Sequence, residues 1–196
     1  MIQSRSFRLS PLVAGIIVAV FQTAVIGYMV ESRAAILRNG ADIRLKTSPV
    51  DPRDLLRGDY VILSYPISTI SKSIVTGDIP PDGTRARLSV RLKPDADGLW
   101  NVTEARFAEM APQDGSVILR TLPIVFNTYG AGEMPHTLFV QYGLERYYVP
   151  EGEGRALENA RNAEELEVEA RVSRDGTPQI ARLLLRGEPV YDEPLY

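Results

Sequence analysis

The feature that most constrains this chain is an uncharged stretch close to its N-terminus. Residues 11–30 read PLVAGIIVAVFQTAVIGYMV and contain no charged side chain. A helix rises about 1.5 Å per residue, so a stretch of this length can cross a hydrocarbon core of about 30 Å. The sequence therefore predicts a transmembrane helix over residues 11–30, and the lipid bilayer is the first expected partner.

A cleaved signal peptide is the alternative interpretation of this stretch. Its apolar region would be about 7–15 residues long and would end in a small-x-small cleavage site. This run is longer and ends in Tyr28-Met29-Val30-Glu31, so we predict an uncleaved anchor. Arg5 and Arg8 favour leaving residues 1–10 in the cytoplasm as a short head. The expected location is the inner cell membrane, with a single pass and the C-terminal domain outside the cytoplasm.

Composition limits the kinds of chemistry that the chain can carry. The 196 residues include no cysteine, which excludes disulfides and thiolate metal sites. The net charge is -3, which gives no reason to expect nucleic acid as a partner. We predict no metal and no cofactor.

The remainder of the chain has the pattern of a β domain behind a short helical neck. Residues 31–40 favour a continued helix, with Gly40 where a helix ends. Residues 41–196 then alternate apolar and polar side chains over several segments, which predicts strands. We expect a mainly β fold, either a mostly antiparallel sandwich or a partly open barrel. The predicted elements are a strand from Ala41, one strand over 84–93 forming a hairpin with 99–108, strands over 116–126 and 137–150, a helix over 153–161, and a hairpin over 165–173 and 178–187.

A segment after two prolines, RGDYVILSY over residues 57–65, predicts a turn followed by a strand. Gly58 would supply a positive φ angle or a close approach, and Asp59 would accept hydrogen bonds from turn amides. Alternation places Asp59, Val61, Leu63 and Tyr65 on one face and Tyr60, Ile62 and Ser64 on the other. Both faces are largely apolar, which predicts a central strand buried on both sides.

A second block, YGLERYYVPEG over residues 142–152, contains an adjacent acid and base between tyrosines. If its strand neighbours the first segment, the two could form a binding groove. The candidate groove residues are Asp59, Tyr60, Tyr65, Glu145, Arg146 and Tyr147. The same residues could equally form a buried polar network that fixes the fold, and the sequence leaves both interpretations open.

No catalytic residue is predicted from the motifs. The segment DLLRGDYVIL resembles the region after the catalytic serine of type I signal peptidases, but Val50 occupies the serine position. No later lysine stands in the Arg-x-x-Gly-x-x-Gly-Asp setting that the resemblance implies for the base. A hydrolase distantly related in fold, using Asp59 or Glu145 with the lone His136, is kept as an alternative function. The row Glu165, Glu167 and Glu169 predicts a solvated face of a strand.

Gly58-Asp59-Tyr60-x-x-Leu63-x-Tyr65 resembles the signature of the GDYXXLXY family of bacterial membrane-anchored proteins. Gly58, Asp59 and Leu63 are its structural motif residues in this chain. Residues 49–54, 142–152 and 186–191 also resemble that family. The resemblance implies a domain outside the cytoplasm, commonly encoded beside multi-pass membrane proteins, and hence a possible multi-pass partner.

We therefore expect a membrane-anchored accessory or binding protein, more plausibly without enzymatic activity. A purely structural role in the cell envelope is the other alternative. A concave pocket near the tyrosines would favour binding over the structural role.

Overall fold

A computed structural model describes residues 10–50, 60–130, 132–150 and 152–195 of the chain. Gly58 and Asp59 lie outside the described residues. The described elements are helix α1 (Pro11–Asn39), strands β1 (Ala41–Lys46), β2 (Tyr60–Ile62), β3 (Thr69–Ser71), β4 (Val75–Thr76), β5 (Thr84–Ala86), β6 (Ser89–Pro94), β7 (Trp100–Arg106), β8 (Val117–Arg120), β9 (Ile124–Phe126), β10 (Thr137–Phe139) and β11 (Arg146–Tyr148), helix α2 (Gly154–Asn162), and strands β12 (Leu166–Val172), β13 (Pro178–Leu185) and β14 (Glu188–Asp192).

Helix α1 begins at Pro11, where the sequence predicts the apolar run to start. Ser10 caps it, because the Val13 amide donates a hydrogen bond to the Ser10 hydroxyl oxygen at 3.3 Å. The helix continues without a break to Asn39, and it is long and apolar enough to cross a membrane. Its most apolar part is not covered by the rest of the protein, which is consistent with a membrane anchor.

The last turns of α1 pack against the β domain. Ala34 and Leu37 are buried, and the Arg171 guanidinium donates hydrogen bonds to the Leu37 carbonyl and to Asp42. A side chain at Gly40 would meet the Ile36 carbonyl oxygen at 2.7 Å and the Arg171 Cβ at 2.9 Å. Only glycine therefore lets the chain turn from helix into β1 this close to β12.

The described part of the β domain contains two four-stranded sheets and three two-stranded ribbons. The sheet orders are β1-β12-β13-β14 and β4-β7-β6-β8, and the ribbons are β2-β11, β3-β10 and β5-β9. All described pairs are antiparallel except β4 with β7. The predicted mainly β, mostly antiparallel fold is confirmed. No described sheet closes into a barrel.

A single hydrophobic core joins the two sheets and the ribbons. The first sheet contributes Ile43, Val168 and Leu183, and the second contributes Val90 and Leu119. All five side chains are almost completely inaccessible to solvent. The predicted hairpins β6–β7 and β12–β13 are both formed, and α2 forms one residue later than the pattern predicts.

The prediction of one amphipathic strand over residues 84–93 is wrong. The segment forms two strands, β5 and β6, which pair with different partners. Arg91, expected on the exposed face, is buried. Its guanidinium donates to the Ser116 hydroxyl at 3.0 Å and to the Ala111 carbonyl at 2.9 Å, and it pairs with Glu104 at 3.3 Å. These partners compensate the buried charge, so alternation alone misplaced the residue.

The prediction of a central strand buried on both sides is also wrong. Among the described residues, strand β2 pairs only with β11, in a two-stranded ribbon. Val61 is buried, whereas Tyr60 and Ile62 on the other side are only half-buried. Because tyrosine and isoleucine tolerate partial exposure, an apolar run on both faces did not require full burial.

The acidic row shares one strand face as predicted, but its carboxylates are paired. Glu165 contacts Arg186 at 2.6 Å and Glu169 contacts Arg182 at 3.1 Å, while Glu167 pairs with Arg44. Each pair is partly exposed, so each adds little to stability. Together the pairs keep this face of the sheet polar.

Candidate functional site

The two sequence blocks singled out above are neighbours in space. Tyr148 lies opposite Tyr60, Tyr147 opposite Val61, and Arg146 opposite Ile62. The Leu63 amide extends the pairing by donating to the Glu145 carbonyl at 2.9 Å. We call residues 60–65 and 142–148 the motif ribbon. The adjacency on which the groove prediction depends is therefore present.

The inner face of the motif ribbon is buried and tied together by tyrosine hydroxyls. Tyr65 donates to the Leu144 carbonyl at 2.8 Å, and Tyr142 donates to the Ile67 carbonyl at 2.7 Å. Burial, together with the Glu145 carboxylate, raises the pKa of both tyrosines well above the ordinary range. Both hydroxyls stay protonated at neutral pH and act as structural donors.

Glu145 closes the turn of the second block. Its two carboxylate oxygens accept hydrogen bonds from the Tyr142 amide at 2.6 Å and the Gly143 amide at 2.9 Å. Gly143 has a φ of 88°, a conformation that favours glycine. Since both oxygens are engaged by the turn, the contacts of Glu145 are those of a structural carboxylate.

The outer face of the motif ribbon is exposed and carries the Arg146 guanidinium near two tyrosine rings. The Tyr60 and Tyr148 ring centroids lie 5.9 Å apart, and the Arg146 guanidinium lies 5.6 Å from the Tyr60 centroid. Tyr148 is 70% exposed. The six candidate groove residues are thus divided: Tyr60 and Arg146 lie outside, Tyr65 and Tyr147 lie inside, Glu145 closes the turn, and Asp59 lies outside the described residues.

Tyr147 connects the motif ribbon to helix α1. Burial and the Glu193 carboxylate, which accepts a hydrogen bond from the Tyr147 hydroxyl, raise the pKa of Tyr147 to about 12. Glu193 also contacts Arg33 of α1 at 3.7 Å. The Tyr147 ring packs against Tyr191, with centroids 6.3 Å apart. One acidic residue near the C-terminus therefore joins the motif ribbon to the apolar helix.

A cleft of about 500 Å³ opens beside the first block, and we call it the motif cleft. Ile62 to Tyr65 and Glu145 line one side, and residues 122–124 and 139–141 line the other. Phe139 at its wall is 78% exposed and Leu122 is 42% exposed. The hydroxyl of Ser68, another lining residue, is buried without a hydrogen-bond partner among the described residues.

Sequence reasoning missed four residues that shape this region: Leu122, Phe139, Ser68 and Arg161. Phe139 alternates with buried Leu138 and Val140, so its outward position could have been read from the strand pattern. Arg161 of α2 is buried and donates to the Ile62 carbonyl and to the Asn162 side chain. No local pattern marks Arg161, because its acceptor lies 99 positions away in the chain.

Of the residues in the alternative hydrolase, Glu145 closes a turn, and Asp59 lies outside the described residues. His136 is exposed, and its carbonyl accepts a hydrogen bond from the Lys72 amide at 2.9 Å. Within the described parts of the chain, no group of three or more histidine, aspartate or glutamate side chains could hold a metal ion. The described residues of the two blocks form a cleft and an exposed surface.

Comparison with known proteins identifies one family. The model of the family described as GDYXXLXY protein matches residues 22–183, which is most of the chain and includes both halves of the motif ribbon. No curated protein and no solved structure gives a significant match.

Proposed function

This chain belongs to the GDYXXLXY protein family, and we propose that it is a membrane-anchored accessory protein that receives a segment of a multi-pass membrane protein in the motif cleft. In this proposal α1 anchors the chain in the inner cell membrane, with the N-terminus in the cytoplasm. The β domain then lies outside the cytoplasm and presents the motif cleft to a neighbouring membrane protein.

The observation that carries the proposal is the exposed apolar wall of the motif cleft. Phe139 and Leu122 expose large apolar side chains beside a concave space, although the same domain buries comparable side chains elsewhere in one continuous core. Exposed apolar surface around a cavity is typical of an interaction site. A purely structural envelope protein would have no need of such a wall.

The lining of the motif cleft indicates the chemistry of the segment that it would receive. Apolar contacts come from Leu122, Ile124 and Phe139. The matching segment is therefore apolar. A short apolar loop between two transmembrane helices of a multi-pass protein fits this description.

The attachment of α1 supports a partner in the same membrane. Ala34 and Leu37 are buried in the domain, and Arg171 fixes the last turn of the helix. The domain is therefore held at the end of the apolar helix, with no described linker between them. A membrane protein beside this anchor meets the domain at high effective concentration.

The proposed orientation has its own test. The chain contains no cysteine, so a single Glu188→Cys variant carries the only thiol. Glu188 is exposed at the start of β14. We expect a membrane-impermeant maleimide to label this cysteine from outside once the outer barrier is permeabilised. Labelling that requires disruption of the inner membrane would contradict the orientation.

Photo-crosslinking in native membranes tests the occupant of the motif cleft. A photoreactive phenylalanine analogue at Phe139 is expected to form one dominant adduct with a multi-pass membrane protein, identified by mass spectrometry. The matched control is the same analogue at Val125, which is 55% exposed on strand β9. Val125 is not part of the motif cleft lining, and we expect no such adduct there.

Two further variants decide between specific docking and adventitious contact. Leu122→Asp places a charge on the apolar wall and should abolish the adduct from residue 139. Arg85→Asp, at an exposed position on β5, should leave it intact. Adducts of equal yield and identity from residues 139 and 125 would contradict the proposal, as would recovery of the protein with no adduct.

A further inference from the structure

The motif ribbon adjoins the end of the apolar helix closest to the domain. A cavity of about 230 Å³ is lined by Arg33 of α1 and by Arg146, Tyr147 and Tyr148 of the ribbon. Glu193 lines the same cavity and contacts Arg33. The cavity brings this part of the motif ribbon beside Arg33, so the position of Arg33 relative to the membrane indicates where the ribbon lies.

The height of Arg33 follows from the anchor. Arg33 is three positions beyond Val30, where the apolar run ends, and α1 is unbroken between them. Three residues of helix rise about 4.5 Å. The headgroup layer on each side of a bilayer is about 5–7 Å thick, so Arg33 lies within it when residues 11–30 span the hydrocarbon core.

The outer face of the motif ribbon has the side chains that favour this layer. Tyr148 is 70% exposed, and tyrosine is enriched where membrane meets water. Arg146 is exposed beside it, stacked near the Tyr60 ring. Of the two arginines that line the small cavity, Arg33 contacts Glu193 at 3.7 Å, whereas Arg146 has no ion pair among the described residues. The whole chain carries a charge of -3, so attraction of this face to an anionic surface depends on local cations such as Arg146.

We propose that the outer face of the motif ribbon lies on the bilayer surface, where Arg146 and Arg33 bind anionic phospholipid headgroups and the Tyr148 ring packs at headgroup level. One arginine near an anionic leaflet raises the equilibrium constant for the membrane-bound position about fivefold. Its guanidinium can contact phosphate oxygens at two points. The contact holds the domain upright beside the membrane partner of the motif cleft.

This inference depends on the anchor in the proposed function but not on the partner of the motif cleft. It is therefore tested with the purified full-length chain in nanodiscs, in the absence of any other protein. Because the chain has no cysteine, a fluorophore can be attached at one introduced thiol. The three labelled variants are Tyr148→Cys, Phe21→Cys within the apolar helix, and Glu188→Cys at the far end of β13.

Quenching by nitroxides placed on lipid headgroups or on acyl chains reports the depth of each label. We expect the label at 148 to be quenched by headgroup nitroxides and the label at 21 by acyl-chain nitroxides. The label at 188 should be quenched by neither. Glu188 pairs with Leu185 at the end of β13 opposite Pro178, and seven residue steps along that strand span about 23 Å, which exceeds the thickness of the headgroup layer.

The charge contribution is measured in nanodiscs with and without anionic phospholipid. Quenching of the label at 148 by headgroup nitroxides is measured at several salt concentrations and gives an equilibrium constant for its contact with the membrane. This equilibrium constant should be higher with anionic lipid. In the Arg146→Gln background it should fall about fivefold, and Arg146→Lys should restore most of it. Equal quenching in neutral and anionic discs would overturn the inference, as would equal quenching at 148 and 188.

The label at 21 separates the two failures. If acyl-chain nitroxides do not quench it, the anchor itself is absent and the proposed function fails with it. If it is quenched and the label at 148 is not, the anchor stands and only the membrane contact of the motif ribbon is overturned. Circular dichroism of each labelled variant confirms that the fold is retained.

Discussion

The two faces of the motif ribbon do different work with the same residue type. On the inner face, the hydroxyls of Tyr65 and Tyr142 donate hydrogen bonds to backbone carbonyls, and both rings are buried. Outside, Tyr148 exposes most of its ring, next to exposed Arg146. One short motif therefore both stabilises the fold and presents an exposed surface. The inner face should therefore respond to mutation through stability, and the outer face through binding.

The largest expected effect comes from truncating the inner face. Tyr65→Ala removes a buried ring and leaves the Leu144 carbonyl without its donor, so the free energy of unfolding should fall by about 3–5 kcal/mol. Tyr148→Ala, the matched change on the outer face, should stay within about 0.5 kcal/mol. Denaturant unfolding of the full chain in detergent measures both. Equal losses of unfolding free energy in the two variants would contradict the difference between the inner and outer faces.

A second effect tests the support that α2 gives to β2. Arg161→Ala removes the donor to the Ile62 carbonyl, and we expect a loss of about 2–3 kcal/mol of stability. Arg155→Ala, at an exposed position on the same helix, should cost less than about 0.5 kcal/mol. Thermal melts followed by circular dichroism compare the two. Similar melting temperatures for both variants would show that the buried arginine gives no net support.

A smaller effect isolates one hydroxyl. Tyr142→Phe keeps the ring and deletes only the bond to the Ile67 carbonyl, which should cost about 1–3 kcal/mol. Tyr148→Phe makes the same chemical change on the outer face and should be close to neutral. Unfolding midpoints in denaturant give the two values. A neutral Tyr142→Phe would mean that the buried carbonyl finds another donor.

The smallest expected effect is a change in pH dependence. The pKa of Tyr147 is raised to about 12 in the folded protein, above its ordinary value near 10. The folded state therefore holds this proton more tightly. The resulting stability is fully present below about pH 10 and is lost as the pH rises towards 12.

The corresponding variant is Tyr147→Phe, which has no proton to lose. Its unfolding free energy, measured between about pH 9 and 12, should decline less steeply than that of the unchanged protein. The tyrosines at 65 and 142 are present in both proteins, so the difference between the two slopes reports Tyr147. Identical slopes would contradict the raised pKa of Tyr147, which burial and the Glu193 carboxylate produce.

How far the sequence could predict this molecule depends on the range of the interactions. The helix over residues 11–30, the hairpins and α2 follow local patterns, and the structure contains them. Arg91 was misplaced because its compensating partners are distant in the chain. The separation of Tyr65 from Tyr60 onto opposite faces was predictable from alternation. The degree of burial of each face was not, since it depends on which other elements pack there.

The motif cleft shows the same limit. The outward position of Phe139 was visible in its strand, but its closeness to Leu122 and the motif ribbon results from tertiary packing. Glu145 and Arg146 are adjacent in sequence, which suggested a shared groove. In the structure, Glu145 instead accepts hydrogen bonds from the turn, and Arg146 lies on the outer face of the motif ribbon.

The most direct test of the central claim measures stability and docking in one variant. Phe139→Asp is combined with the photoreactive analogue at Leu122, and both the unfolding midpoint and the adduct with the multi-pass partner are quantified. We expect an unchanged midpoint, because Phe139 is exposed, together with loss of the adduct. A retained adduct, or a collapse of stability alongside its loss, would contradict the separation of fold from docking surface.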